Sequence, residues 1–524
     1  MSKALLKSTS TVGAMTLLSR ILGLIRDLVF ARFFGAGLGM DVFVIAFQIP
    51  NFFRRMFGEG AFSPAFVPVF SEYRSKKSGE EVRQLADRVA GTLGLILLGI
   101  TILGVIGAPA FILVFASGFA AEPEKFDLAV QLLGITFPYL IFISLTAFAG
   151  GMLNTFGRFA VPAFTPVLLN LSLIAAAVWA ATWFAAPVEA LAWGVLVAGV
   201  AQLLFQLPFL ARIGLLPTPR WGWRHEGVRK IMRLMLPALF GSSVAQINLI
   251  VDRIIASFLV TGSISWLYYS DRLMEFPLGV FAIALATIIL PGLSTKHAEE
   301  NPGAFSATLD WALRLVCVLA VPAAVGLFAL AGPMLATLFN YGEFDAYSVE
   351  MASYSLMAYA VGLLGFTLVK VLAPGYFARQ DMRTPVKVGV IAMLSNIVFN
   401  LLIVIPMVRV GFVAPHMGLA LATGLAALLN AALLYRGLRT SGVYQPGPGW
   451  WPLAARVVIA NLVMLAFLVP LAGELASWTE QTWDNRVLRL TGCLVGGFVV
   501  YVLALLVTGL RPAHLRGQSA AATV

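Results

Sequence analysis

Five arginines dominate the chemistry open to this sequence. Arg20, Arg26, Arg54, Arg55 and Arg272 lie inside long apolar runs. A charge at mid-bilayer costs roughly 2.5–3.5 kcal/mol even on the lenient insertion scale. Five of them facing lipid would cost on the order of 10 kcal/mol, more than a marginally stable fold retains. They must face water, a partner charge or a substrate. A guanidinium offers a planar fork that matches phosphate. Surplus arginine in an intramembrane cavity therefore suits an anionic, phosphate-bearing substrate.

Internal pairing accounts for part of the charge. Arg20 and Asp27 are seven residues apart and share a helix face, and Glu275 follows Arg272 by three, which is contact spacing. Arg253 adjoins Asp252, but neighbours in sequence do not face each other on a helix. The first two apolar segments keep a surplus: Arg20, Arg26, Arg32, Arg54 and Arg55 outnumber Asp27, Asp41 and Glu59. We therefore expect Arg20, Arg26, Arg54, Arg55 and Arg272 to line a binding cavity, and Asp27, Asp41 and Glu275 to pair charges or gate it. Pro50 and Pro277 flank these groups and predict bent helices there. Asn248 and Asp252, and Asn396 and Asn400, stand at four-residue spacing. Such oxygens could hold Na⁺ or relay protons, although hydrogen bonding between helices explains them more simply. Cys317 and Cys493 lie alone in apolar runs, which predicts inert thiols, and no metal site or cofactor is expected.

The elements that hold these groups must be membrane helices. Of 524 residues, 60% are hydrophobic and 12% charged, with a mean hydropathy of +0.89. A soluble domain carries about twice that charge fraction. The apolar runs do not alternate, which argues against a β-barrel. Each span needs about 20 apolar residues. Fourteen spans are expected, at roughly 12–34, 41–71, 86–116, 128–156, 160–184, 188–211, 231–260, 264–295, 308–339, 347–378, 384–408, 413–436, 450–473 and 487–510.

Lys and Arg then separate by side. The termini and the loops after even-numbered spans hold about 22 of the 36, including Arg74, Lys76, Lys77, Arg220, Arg224, Arg229 and Lys230. The loops after odd-numbered spans hold only Lys125, Arg409 and Arg486. The positive-inside rule puts both termini in the cytoplasm. The net charge of +11 thus reflects topology and contact with anionic phospholipids, not nucleic acid.

The chain also repeats itself. Asp27, Ala31, Phe33 and Gly37 meet Asp252, Ala256, Phe258 and Gly262 at an offset of 225. Pro68, Ser71 and Pro162 meet Pro291, Ser294 and Pro385 at 223. Six spans per repeat preserve orientation. The expectation is an all-α protein with two six-helix lobes, 1–220 and 221–440, related by a parallel repeat, followed by two further helices in 441–524. Two-lobed transporters hold substrate between their halves.

Two strings carry a resemblance. SRILGLIRDLVFARFFGAGLGMDVFVIAFQIPNFFRRMFGEGAFSPAFVPVFSEY and LYYSDRLMEFPLGVFAIALATIILPGLS resemble signatures of the MurJ/MviN family, a branch of the MOP exporter superfamily. The resemblance implies a flippase that moves lipid II, the undecaprenyl-pyrophosphate-linked peptidoglycan precursor, to the outer leaflet of the bacterial inner membrane. Cell-wall synthesis proteins would be its neighbours. It implies that Arg20, Arg26, Asp41, Arg54, Arg272 and Glu275 are the working charges of a cationic cavity, and that the last two spans form a groove for the lipid tail. It also implies a transporter, not an enzyme. A multidrug or O-antigen-type exporter, a membrane glycosyltransferase and a passive scaffold are the competing readings. The motifs disfavour the first, short loops disfavour the second, and the buried arginines disfavour the third.

Overall fold

A computed structural model of the chain describes residues 3–279 and 283–511; the side chains of 3–10, 59, 240–245, 248–249 and 283–288 lie outside the description. The described residues are helical, with no strand among them. They form two compact units, 1–265 and 266–524.

The first unit holds α1 (Lys3–Phe34), α2 (Leu38–Phe53), a π-helical segment (Arg54–Phe62), α3 (Ser63–Lys76), α4 (Gly79–Ile106), α5 (Ala108–Phe115), α6 (Pro123–Thr136), α7 (Tyr139–Thr155), α8 (Ala160–Ala175), α9 (Glu189–Arg212) and α10 (Glu226–Ser257). The helix α11 (Ser263–Pro277) begins at its end. The second unit continues through α12 (Ile283–Ala298), α13 (Pro302–Ala329), α14 (Ala331–Phe339), α15 (Ala346–Phe377), α16 (Arg383–Arg409), α17 (Met417–Thr440), α18 (Trp450–Ala472), α19 (Ala476–Thr479) and α20 (Trp483–Val507).

Local chemistry sets the boundaries. Ser78 opens α4 with a capping box: its hydroxyl accepts from the Glu81 amide, and Glu81 accepts from the Ser78 amide at 3.0 Å. Asp345 caps α15 by accepting from the Ser348 amide at 2.8 Å. Where helices cross, small residues let backbones touch: a Cβ on Gly362 would strike the backbone of Gly424 in the α15–α17 crossing.

Among the described residues, ten helical stretches are long and apolar enough to span a bilayer: 79–106, 123–155, 160–183, 189–212, 302–329, 346–377, 383–409, 417–440, 450–472 and 483–507. Their outward faces carry Ile102, Leu103, Leu402, Leu488 and Val507, all exposed, as lipid-facing surfaces require. The chain is a multi-pass membrane protein. Other helical stretches, 3–34, 38–76, 226–257 and 263–279, hold the ionisable residues that the sequence singles out in the first unit and around Arg272.

Candidate functional site

On α1, Asp27 and Arg26 are both buried. Arg26 folds back on its neighbour, donating from Nη2 and Nε to Asp27 Oδ1 at 2.7 and 3.0 Å. Its Nη1 donates to Asn170 Oδ1 on α8 at 3.0 Å, and Asn170 returns a bond to the Ser19 carbonyl. The expected partnership of Arg20 with Asp27 does not form. Seven residues rise about 10 Å along a helix, too far for contact, and Arg20 stands exposed. Arg32 is exposed as well.

The helix expected over 41–71 runs unbroken from 38 to 76 but is not regular α-helix throughout. Pro50 sits inside α2, and the Arg54 amide donates to both the Asn51 and Pro50 carbonyls. Beyond it the ladder widens to π-helix, ending where the Ser63 amide donates to the Gly58 carbonyl five residues back. This segment carries Arg54 and Arg55. Arg54 is half-buried and donates from Nε to Asn51 Oδ1 at 3.1 Å, while Arg55 is exposed. Stacked Phe62, Phe66 and Phe70, with centroids 5.1 Å apart at each step, fix the chain just after the π turns. The Glu59 side chain lies outside the described residues.

Asp41, at the start of α2, is 1% exposed. It accepts from the Gly262 amide at 2.7 Å, the Ser265 amide at 2.8 Å and the Ser265 hydroxyl at 2.6 Å. One carboxylate thus caps the start of α11 across more than two hundred residues of sequence, favourably placed against the helix dipole. Arg253 reaches Gln48 Oε1 on α2 at 2.9 Å instead of resting on Asp252, which is half-buried.

In the second unit, Arg272 pairs with Glu275 at 3.0 Å, as their spacing predicts, and lies over the Tyr268 ring at 5.0 Å. Both partners stay accessible, at 36% and 52% of the side chain. After Pro277, residues 278 and 279 take π-helical turns. An offset of 223 carries 55 and 56 onto 278 and 279, so these π-helical turns fall at matching positions of the sequence repeat. Asn396 and Asn400 are fully buried on α16: Asn400 donates to Asn396 at 2.6 Å, and Asn396 donates to Thr423 on α17 at 3.2 Å. The Asn248 side chain lies outside the described residues.

Sequence reasoning missed Asn170, Asn51, Gln48 and Ser265 as partners of the working charges. Asn170 did leave a signal: it is an isolated amide within an apolar run, where an unpartnered polar group is costly.

The family model described as lipid II flippase MurJ matches residues 30–487. The chain belongs to this family. A probable lipid II flippase MurJ of Vibrio cholerae serotype O1 is 49% identical over 99% of both chains. The lipid II flippase MurJ of Burkholderia cenocepacia is 43% identical over 98% of this chain and 99% of that one. A solved structure of the lipid II flippase MurJ, in an inward closed conformation, matches with a TM-score of 0.77 at 29% identity, covering 94% of this chain and 97% of the other. An inward-facing MATE transporter of the MOP superfamily shares the fold, at a TM-score of 0.66 and 16% identity. Membership of the MurJ family makes the chain a transport protein rather than an enzyme.

Proposed function

We propose that the chain flips lipid II from the cytoplasmic to the periplasmic leaflet of the bacterial inner membrane by alternating access. One observation carries this reading: a family match over 30–487 includes the segments that hold Arg54, Arg55 and Arg272, and no span would tolerate those charges against lipid. In this reading fourteen spans form two six-helix lobes, 1–220 and 221–440, and 441–524 adds two helices whose groove takes the polyprenyl tail. Arg20, Arg26, Arg54, Arg55 and Arg272 hold the pyrophosphate, while Asp27, Asp41 and Glu275 set the charge balance and the gates. Both termini face the cytoplasm. Anionic phospholipids and cell-wall synthesis proteins are the neighbours.

The driving force is electrical. Each charge crossing 100 mV is worth about 2.3 kcal/mol. With the inside negative, an anionic headgroup moves outward downhill, and the emptied cationic cavity is drawn back. Na⁺ or H⁺ coupling through Asn248, Asp252, Asn396 and Asn400 is the secondary reading. It is disfavoured because Asn396 and Asn400 already spend hydrogen bonds on each other and on Thr423.

The test is exposure of lipid II to an externally added enzyme that cleaves it, in cells depleted of their own flippase. The chain restores cleavage, and a stably expressed Arg272→Ala does not. Absence of restoration by well-expressed wild type refutes the flippase reading. In vesicles, collapsing the membrane potential slows transport; an unchanged rate refutes the electrical drive.

A further inference from the structure

Lys125 is an odd residue for its place. It opens α6 after a loop and reads as one of the few basic groups on the acidic side of the chain. Yet it is 1% exposed. A lysine is almost never fully buried unless its charge is answered.

Its surroundings answer it from several elements of the first unit. Nζ donates to Thr261 Oγ1 at 3.0 Å, lies 3.9 Å from Asp41 Oδ2 and 3.7 Å from Glu122 Oε1, and sits over the Phe119 ring at 4.7 Å. The same loop is fastened nearby: the Gly118 amide donates to Ser257 Oγ at 2.9 Å, and a Cβ on Gly118 would strike the Ser257 backbone. Thr261 and Gly262 are consecutive. Lys125 therefore holds the segment that donates to Asp41 and stands beside Asp41 itself.

We propose that Lys125 is the positioning residue that lets Asp41 release the start of α11: it exchanges its bond to Thr261 for a closer pairing with Asp41 when the segment 257–265 withdraws. This inference rests on the alternating-access reading, in which the Asp41 contacts form one gate.

The argument turns on what Asp41 keeps in each state. With the gate closed, three donors from Gly262 and Ser265 satisfy the buried carboxylate. When they leave together, a buried carboxylate without a partner is strongly penalised. Lys125 is the cation within reach, and breaking its bond to Thr261 frees it to approach. A residue that served only as a lock would have the opposite effect on removal.

The sign of the effect is the test. Amide hydrogen exchange at Gly262 and Ser265 is read in the purified full-length chain in lipid nanodiscs. Lys125→Met slows exchange at both amides by about tenfold, because opening now strands Asp41. Lys125→Arg exchanges like wild type. Thr261→Ala speeds exchange, because it removes a bond made only in the closed state, and Thr261 is exposed enough to be replaced without disturbing packing. Unchanged or faster exchange in a Lys125→Met protein that melts like wild type overturns the proposal. If that variant does not fold, Thr261→Ala without faster exchange overturns it. Exchange that follows these directions while lipid II flipping is unchanged leaves Lys125 in its role and instead refutes the gate within the transport cycle.

Discussion

The helix α16 and the stretch 38–76 are both long enough to cross a bilayer, yet they use their residues in opposite ways. The α16 helix shows Leu394, Val398 and Leu402 to its surroundings and hides Asn396 and Asn400 completely. Its polar groups are few, mutually bonded and inward, so the helix stays regular and its outer face suits lipid. The stretch 38–76 buries its apolar side chains, among them Phe43, Phe66 and Phe70, and carries Asp41, Arg54 and Arg55. It also breaks its own hydrogen-bond ladder at the arginines. Around Arg54 and Arg55 the chain places charge and gives up helical regularity together, whereas α1 carries Arg26 and Asp27 on an unbroken α-helix.

Three perturbations break or sharpen this contrast. The largest effect is expected from Arg26→Met. It removes the Arg26 guanidinium from buried Asp27 and from Asn170, which costs about 3–5 kcal/mol. Reversible unfolding in mixed micelles measures it; a loss below 1 kcal/mol, against an expectation of about 3 or more, would mean that the pair is dispensable. Next is Val398→Arg on α16. A charge on a lipid-facing site near mid-helix costs roughly 2.5–3.5 kcal/mol, read as lost membrane insertion in a glycosylation-mapping assay. Normal insertion would show that this face of α16 meets water or protein.

The smallest effect concerns pH and lies outside the spans. His225 caps α10 by accepting from the Gly227 amide at 3.2 Å. Burial, reinforced by the Arg88 charge, lowers its pKa below the ordinary 6.5. The folded state thus favours the neutral ring, and the unfolded state binds the proton more readily. The cap's contribution is complete above about pH 6.5 and declines as pH falls below that. Protection from hydrogen exchange at the start of α10, taken relative to the intrinsic rate at each pH, should fall between pH 7 and pH 5 by a factor of about two to five, and His225→Gln should flatten the response.

Much of this was legible in the residues themselves. Long apolar runs without alternation mark helices, and the Arg272–Glu275 pair follows from three-residue spacing. Other features carry no local signal. Asp41 finds its donors at Gly262 and Ser265, and nothing near Asp41 in the chain points to them. Lys125 reads as a loop charge, because burial is a property of the packed neighbours. The π turns leave only hints, in Pro50 and the glycines at 58 and 60, since a shift in hydrogen-bond register changes no side chain. Arg26 takes Asp27 because a long, jointed side chain can fold along the helix surface, a freedom that spacing rules on a helical wheel ignore.

The π segment at 54–62 behaves as a dislocation does in a crystal. It is one surplus residue in an otherwise regular ladder, and such a defect can migrate by trading one bond for the next without leaving any amide stranded for long. Each step turns the residues it passes by about 100° and advances them by about 1.5 Å. Arg54 and Arg55 ride on this defect. Their guanidinium groups can therefore be re-aimed by sliding the flaw along the helix, while the stacked Phe62, Phe66 and Phe70 keep the rest of the rod in place.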